Sequence, residues 1–451
     1  MVFSSLEFIF VFLPVFLSLY YLMPAKCKNW ILLFGSLAFY AAGSLQCPWY
    51  SLLLVACVLV DFMGGVLMER FPKAAKPVFF LCVIFHIFWL FSFKYAGLFP
   101  YNRSWILPAG ISFYTFQGIS YLADVLSKKY KAEYSLLKFA TYICMFPQLI
   151  AGPIVTYDAV SKDLEQRKHT VTLFWKGMES FVFGIGLKVL LANPCGTMWE
   201  RICAIGFDSL STPLAWLGII AFTFQIYFDF FGYSLMAYGL GRMLGFKLPR
   251  NFEHPYTATS MTEFWRKWHI TLGAWFREYV YIPLGGNKKG FLRMIFNLLV
   301  VWIFTGIWHG STINFLLWGL VLFSLIVLEK LFWRKVTERV KWLGHLYMWL
   351  MIPLSWVFFA ITDLEQIGIF FSKLFAFDGF NAIAQATDYY KYLWDYWYIL
   401  AAGLFFSFRF PYQWLKKWPV PLKAIGLTLV LAGSAYCMYR GMNNPFLYFR
   451  F

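Results

Sequence analysis

The sequence predicts an all-α, multi-pass membrane protein with a single integral domain over residues 1–451, and three observations predict it. Hydrophobic residues make up 61% of the chain and charged residues 14%, against about 45–50% and about 25% in soluble domains. Apolar runs approaching the ~20 helical residues that cross ~30 Å of hydrocarbon recur from end to end. The Lys and Arg residues behind the net charge of +17 fall in short clusters between those runs, such as "PAKCKN", "SKKYK" and "KLFWRKVTERVKW". Cytoplasmic loops of membrane proteins carry this signature. A nucleic-acid-binding face would instead gather the cations on one polar surface, and no stretch offers one.

Taken in order, the first run, within "MVFSSLEFIFVFLPVFLSLYYLMPAKCKN", has no basic start and no small-residue cleavage site before the apolar stretch. It reads as a retained first span near 2–23, not a removed signal peptide. Further spans are expected near 29–44, 48–68, 76–98, 106–127, 137–157, 171–193, 213–236, 295–310, 313–333, 342–362, 395–410 and 421–438. Basic loops at 26–28, 69–76 and 128–138 place the N-terminus outside and the first basic loop in the cytoplasm. The alternation then fails, because "FPQLIAGPIVTY" leads into the basic "VSKDLEQRKHT". Pro147 and the Gly152-Pro153 pair break a helix there, and a re-entrant segment resolves the conflict.

Residues 251–290 are too charged for a lipid-facing span and too aromatic for a solvated loop, since Trp265, Trp268 and Trp275 alternate with Arg266, Lys267 and Arg277. Helices lying at the cytoplasmic interface and dipping into the protein are expected, with Trp at headgroup level and cations snorkelling. Residues 329–341 and 367–377 read as two more interfacial helices. The eight cysteines contain no CxxC pair and read as small core residues, neither a disulfide frame nor a metal site.

Counting removes several catalytic classes. "GISFY" lacks the second glycine of a nucleophile elbow. "GLGRMLG" and "GGNKKG" miss the dinucleotide and phosphate-loop signatures, and no two histidines stand at i and i+4 to hold a zinc ion. Six histidines remain. His86 and His345 each sit alone in an apolar run and read as core histidines bonded to a neighbouring carbonyl. His169 belongs to a charged loop. His254, before a proline in "NFEHPY", is open to a structural or a functional role.

His269 and His309 differ in context. His269 lies among indoles and cations in "FWRKWHITL"; His309 ends the span "NLLVVWIFTGIWHG", where Gly306 and Gly310 would let a backbone or a ligand approach closely. An ionisable group within a span is a functional candidate. A desolvated imidazole stays neutral and able to accept a proton, the state a general base requires. The other reading of His309 is a hydrogen bond locking two helices. Asp229, inside another span, is open as an intramembrane acid or as a helix-bonding group.

The tract "FQIYFDFFGYSLMAYGLGRMLGFKLPRNFEHPYTATSMTEFWRKWHITLGAWFREYVYIPLGGNKKG", followed by "NLLVVWIFTGIWHGSTINFLLWG", resembles the membrane-bound O-acyltransferases, in particular the bacterial branch that includes alginate O-acetyltransferase. Weaker echoes, "LPAGISFYTFQGISYLADV" and "MFPQLIAGPI", extend it over most of the chain. The resemblance implies a fold of about eleven spans plus re-entrant helices, with residues 251–310 as the motif-bearing core and a tunnel from a cytoplasmic donor to an external acceptor. It implies that His309 matches the catalytic histidine and His269 the second functional one. Leu235 stands where the family usually carries an acidic residue after "GYS", so no role transfers to that position.

The closing tail, residues 439–451 with "NNPFLYFRF" at its end, is similar to the aromatic tail of a short partner protein in the related D-alanylation system. Tyr448 is thereby a candidate acyl relay, and an aromatic belt at the membrane face is the alternative. The resemblance thus implies an O-acyltransferase of the bacterial cytoplasmic membrane that takes acetyl from acetyl-CoA or another acyl thioester, with no bound cofactor or metal. Arg266, Lys267, Arg277 and Trp308 are the candidate donor contacts. A periplasmic or extracellular SGNH-like acetyltransferase is the expected partner, and an exopolysaccharide or peptidoglycan the final acceptor. Transfer of D-alanine from a carrier protein and a polysaccharide flippase or channel are the alternatives; the latter would show inverted repeats, and none is found.

Overall fold

A computed structural model of the chain describes residues 2–98, 105–150, 152–333, 339–376, 387–441 and 447. Among these residues all regular structure is helical, as a chain that must satisfy its backbone inside lipid requires. Eight of the described helices are long and apolar enough to cross a membrane. The chain divides into two compact units, Met1–Gly184 with Tyr233–Arg250 and Ile185–Gly232 with Asn251–Phe451.

In the first unit, α1 (Phe8–Leu22) and α2 (Lys28–Gly43) meet through phenylalanine rings. Phe146 lies 5.6 Å from Phe12, 5.0 Å from Phe16 and 5.6 Å from Phe39 between ring centres, within the favourable range for aromatic pairs. The helices α3 (Trp49–Arg70), α4 (Pro72–Lys94) and α5 (Ile111–Leu126) follow, then α6 (Leu136–Cys144) and α7 (Tyr157–Glu165). The break expected at Pro147 is present. A single turn, Phe146–Leu149, follows α6, and the non-helical chain beyond it is buried at Ile154 and Val155. Ser36 accepts the Phe146 N–H at 3.0 Å. Gly110 adopts a left-handed conformation, φ 77°, and the Leu149 carbonyl occupies the space a Cβ there would need.

His86 departs from expectation. Its Nε2 bonds the Asp61 carboxylate, not a carbonyl, at 2.7 Å, and both side chains are fully buried. Asp61 on α3 fits because Gly118 on α5 has no side chain; a Cβ there would collide with both carboxylate oxygens. His345 departs too. It is exposed on its helix instead of buried in the core.

Two long helices, α8 (Val171–Cys203) and α9 (Thr212–Met243), belong to both units. The second unit continues with α10 (Met261–Lys267), α11 (Ile270–Phe276), α12 (Phe291–His309) and α13 (Ile313–Leu328). It closes with α14 (Lys341–Ala360), α15 (Leu364–Phe375), α16 (Asp388–Ser407), α17 (Phe410–Lys417) and α18 (Val420–Tyr439). The 251–290 stretch forms short helices, but Trp268 and Trp275 are buried within the protein instead of standing at headgroup level. The expected interfacial helix at 329–341 begins differently as well: Glu329–Trp333 extends α13, and 334–338 lie outside the described residues. Glu329 is 2% exposed and accepts from the Met261 N–H at 2.5 Å and Thr262 Oγ1 at 2.8 Å. A carboxylate at the start of α10 satisfies donors that the helix itself leaves open.

Overpacking a buried site costs about 1–3 kcal/mol. Gly118→Ala is therefore expected to lower the thermal midpoint of the detergent-solubilised protein by several degrees, measured by intrinsic fluorescence. An unchanged midpoint would show that Asp61 can move aside freely.

Candidate active site

The site is built in the second unit, around two histidines placed by different devices. His269 stands in the break between α10 and α11 with φ 44°, a left-handed conformation costing ~1–2 kcal/mol for a residue with a Cβ. Asn251 holds it there. Its carbonyl accepts the Ile270 N–H at 2.9 Å, its side-chain Oδ1 accepts from Thr271 Oγ1 at 2.6 Å, and the Lys267 carbonyl accepts the Glu253 N–H at 3.0 Å. The segment 251–253 thus clamps both sides of the break, and the strain marks a position that the surrounding bonds over-determine.

His309 is the last residue of α12. Gly306 and Gly319 let α12 and α13 touch through their backbones: a Cβ on Gly306 would lie 2.7 Å from the Phe315 carbonyl, and one on Gly319 2.5 Å from the Trp302 carbonyl. Of the two readings of Gly306 and Gly310, a close approach of protein or of a ligand, the structure shows the first. The space beside both glycines is filled by Phe315, so they serve close helix packing. Asn314 at the head of α13 donates to the Phe358 carbonyl at 2.8 Å, tying in the end of α14. The His309 ring then packs edge-on against Trp318 at 5.0 Å and Phe359 at 5.2 Å.

Both imidazoles border the same two cavities. The larger, about 240 Å³, runs between α11 and α12 and is lined by Trp265, Trp268, His269, Phe276, Arg277, Tyr281, Trp302, Thr305 and His309 among others. The smaller, about 20 Å³, is lined by Trp268, His269, His309, Trp318, Trp356 and Phe359, with Asp229, Phe230 and Leu447. Its volume is on the scale of one water molecule. A tryptophan cluster walls the site, with Trp265 5.1 Å from Trp302 and Trp268 5.2 Å from Trp356. Such walls exclude water and strengthen any electrostatic interaction inside.

His269 is 4% exposed, and burial pulls its imidazole down to about 3. It is neutral across the physiological range. His309 is half-buried, so it can be approached from the larger cavity.

Four of the candidate site residues border these cavities: His269, His309, Asp229 and Arg277. Arg277 is exposed and borders the larger cavity. Trp308 packs on both imidazoles, with ring centres 4.6 Å from His309 and 6.4 Å from His269. Arg266 and Lys267 line neither cavity; Arg266 is exposed, and Lys267 pairs with Glu263 at 2.7 Å. His254 also lines neither. It has φ 50°, its ring lies 4.6 Å from that of Tyr412, and burial together with the Arg409 guanidinium pulls its imidazole down to about 4. Tyr448 lies outside the described residues, but Leu447, its neighbour in sequence, borders the smaller cavity.

Sequence reasoning missed Asn251, Asn314, Lys188 and Leu447. The signal available for the first three was a polar residue inside an otherwise apolar or aromatic stretch. Among the described residues no group of three or more His, Cys, Asp or Glu side chains could hold a metal ion.

The model of the "MBOAT, membrane-bound O-acyltransferase family" matches residues 80–362. A "Probable alginate O-acetylase" of Pseudomonas fluorescens is 37% identical over 385 residues, covering 84% of this chain and 76% of its own. A "Peptidoglycan O-acetyltransferase" of Helicobacter pylori is 32% identical, covering 81% of this chain and 78% of its own. A "Teichoic acid D-alanyltransferase" of Bacillus subtilis is 27% identical over 52% of this chain and 61% of its own.

The depressed His269 predicts a pH dependence. Its folded value of about 3 lies below the ~6.5 of an unfolded histidine, so between those limits the unfolded chain binds a proton that the folded chain does not. Stability therefore falls as pH drops through that window, and His254 acts in the same direction. The thermal midpoint is expected to decline from pH 6.5 toward pH 4, and to decline less steeply in His269→Phe. An identical slope in that variant would contradict the assignment.

Proposed function

Because the chain belongs to the membrane-bound O-acyltransferase family and is an O-acyltransferase, we propose that it moves an acetyl group from a cytoplasmic thioester such as acetyl-CoA across the membrane, for O-acetylation of an extracytoplasmic polysaccharide. The observation that carries this reading is the shared position of His269 and His309 on both cavities. A donor entering the larger cavity and a hydroxyl reaching the smaller one would meet at the same two imidazoles.

His309 serves as the general base. Its neutral ring takes the proton of the attacking hydroxyl while the oxygen forms a bond to the thioester carbonyl carbon. The C–S bond then breaks, and the leaving thiolate takes the proton from the imidazolium. The products are an ester and a free thiol. A positioned base of this kind contributes about 10²–10⁴-fold. His269, neutral and rigidly held, orients the donor; Arg277 meets its phosphates, where a guanidinium is suited to bind.

Tyr448 is the proposed acceptor in this chain. A phenol of pKa about 10 makes a more activated ester than a sugar hydroxyl does, so acetyl can pass onward. The burial of Leu447 at the cavity, next in sequence to Tyr448, supports this. The reading extends to the bacterial cytoplasmic membrane as location, a periplasmic SGNH-like transferase as the partner that completes delivery, and an exopolysaccharide or peptidoglycan as the final acceptor. The names of the alginate and peptidoglycan relatives favour acetyl over D-alanine, since each covers more of the chain than the D-alanyl relative does.

Purified protein supplied with labelled acetyl-CoA is expected to carry label on Tyr448. The rate of labelling falls about 10²–10⁴-fold in His309→Ala, and the label vanishes in Tyr448→Phe, which keeps the ring. Equal labelling of the His309 variant would refute the base role, and acetyl delivery surviving in Tyr448→Phe would refute the relay.

A further inference from the structure

A buried carboxylate and a buried ammonium remain charged only when each has a close partner. Lys188 on α8 and Asp229 on α9 are 1% and 3% exposed and pair at 2.7 Å through Asp229 Oδ1. Lys188 also donates to Asn193 Oδ1 at 2.7 Å. The other oxygen of Asp229, Oδ2, accepts the backbone N–H of Leu447 at 2.8 Å. That bond joins residues 218 apart in sequence. Asp229 and Leu447 both line the smaller cavity with the two histidines, so the carboxylate faces the reacting space and not only the neighbouring helix.

A pair that merely tied α8 to α9 would leave Oδ2 for another helix group. Here it accepts a main-chain donor of the C-terminal segment. A charge-assisted bond is roughly twice as strong as a neutral one, and one made to a backbone N–H holds the main chain itself. The Leu447 side chain, 7% exposed, adds apolar anchoring.

We infer that Asp229, held as a fixed carboxylate by Lys188, is the docking point for the chain's own C-terminal tail, and that the Leu447 bond sets which residue is presented at His309. Asp229 and Lys188 are then positioning residues. The catalytic consequence rests on the proposed acylation of Tyr448, whereas the docking itself does not.

The test separates the two. Leu447→Cys is placed in the parent and in the double variant Lys188→Met/Asp229→Leu, which removes both charges of the pair, a change buried pairs often tolerate. Maleimide alkylation is read site by site by mass spectrometry, because the chain has eight cysteines of its own. Alkylation at position 447 is expected to rise at least about tenfold in the double variant, the scale of losing one charge-assisted hydrogen bond. Equal protection in both backgrounds would overturn the docking role.

Should the double variant not fold, Leu447→Pro removes the N–H donor. It is expected to label Tyr448 from acetyl-CoA at least about tenfold more slowly than Leu447→Ala, which keeps the N–H; equal rates would overturn the register role. A parent that takes no label while its position 447 stays protected would count against the acyl relay and leave the docking intact.

Discussion

Removing a polar group from water costs several kcal/mol unless it finds a hydrogen-bond partner, and in a chain this apolar that requirement dictates the second unit. Several of its buried polar side chains close specific joints. Asn251 clamps the break that carries His269, Asn314 fastens α13 to the end of α14, Glu329 seals the start of α10, and Asp229 joins Lys188 to Leu447. Between these joints the walls are indole and phenyl rings. The two imidazoles at their meeting point are rigidly placed because nearly everything around them is packed or bonded.

This arrangement also explains why the site can be small. Backbone contact at Gly306 and Gly319 brings α12 and α13 together, and the rings of Phe315, Trp318 and Phe359 fill the angle between them. What remains beside His309 is a cavity of about 20 Å³ and one of about 240 Å³, both bordered by its ring. Preorganised, water-poor surroundings of this kind strengthen the interactions a transfer step depends on.

Much of the fold was legible in the sequence because lipid leaves few alternatives: apolar length sets spans, and Pro147 and Gly152 announce the break after α6. His269 and His309 stood out because an ionisable group in an apolar run is costly, and the long family-like tract singled them out. The misreadings share one cause, the absence of partners from a linear sequence. His86 was assigned a carbonyl, whereas the partner is Asp61 on the preceding helix, admitted by a glycine on α5. Gly306 and Gly310 were open to a backbone or a ligand, and Phe315 occupies their space. Lys188, a single cation in an apolar span, carried a signal without its partner, and Leu447, a leucine among aromatics, carried none.

The central claim is that the His309 imidazole performs the transfer chemistry. Chemical rescue addresses it most directly: His309→Ala in vesicles, supplied with acetyl-CoA, is titrated with free imidazole, for which the cavity of about 240 Å³ has room. The account predicts that acetyl release from the thioester, lost in the variant, returns with imidazole concentration and follows its neutral fraction as pH is raised. A variant that turns over like the parent without imidazole would contradict it.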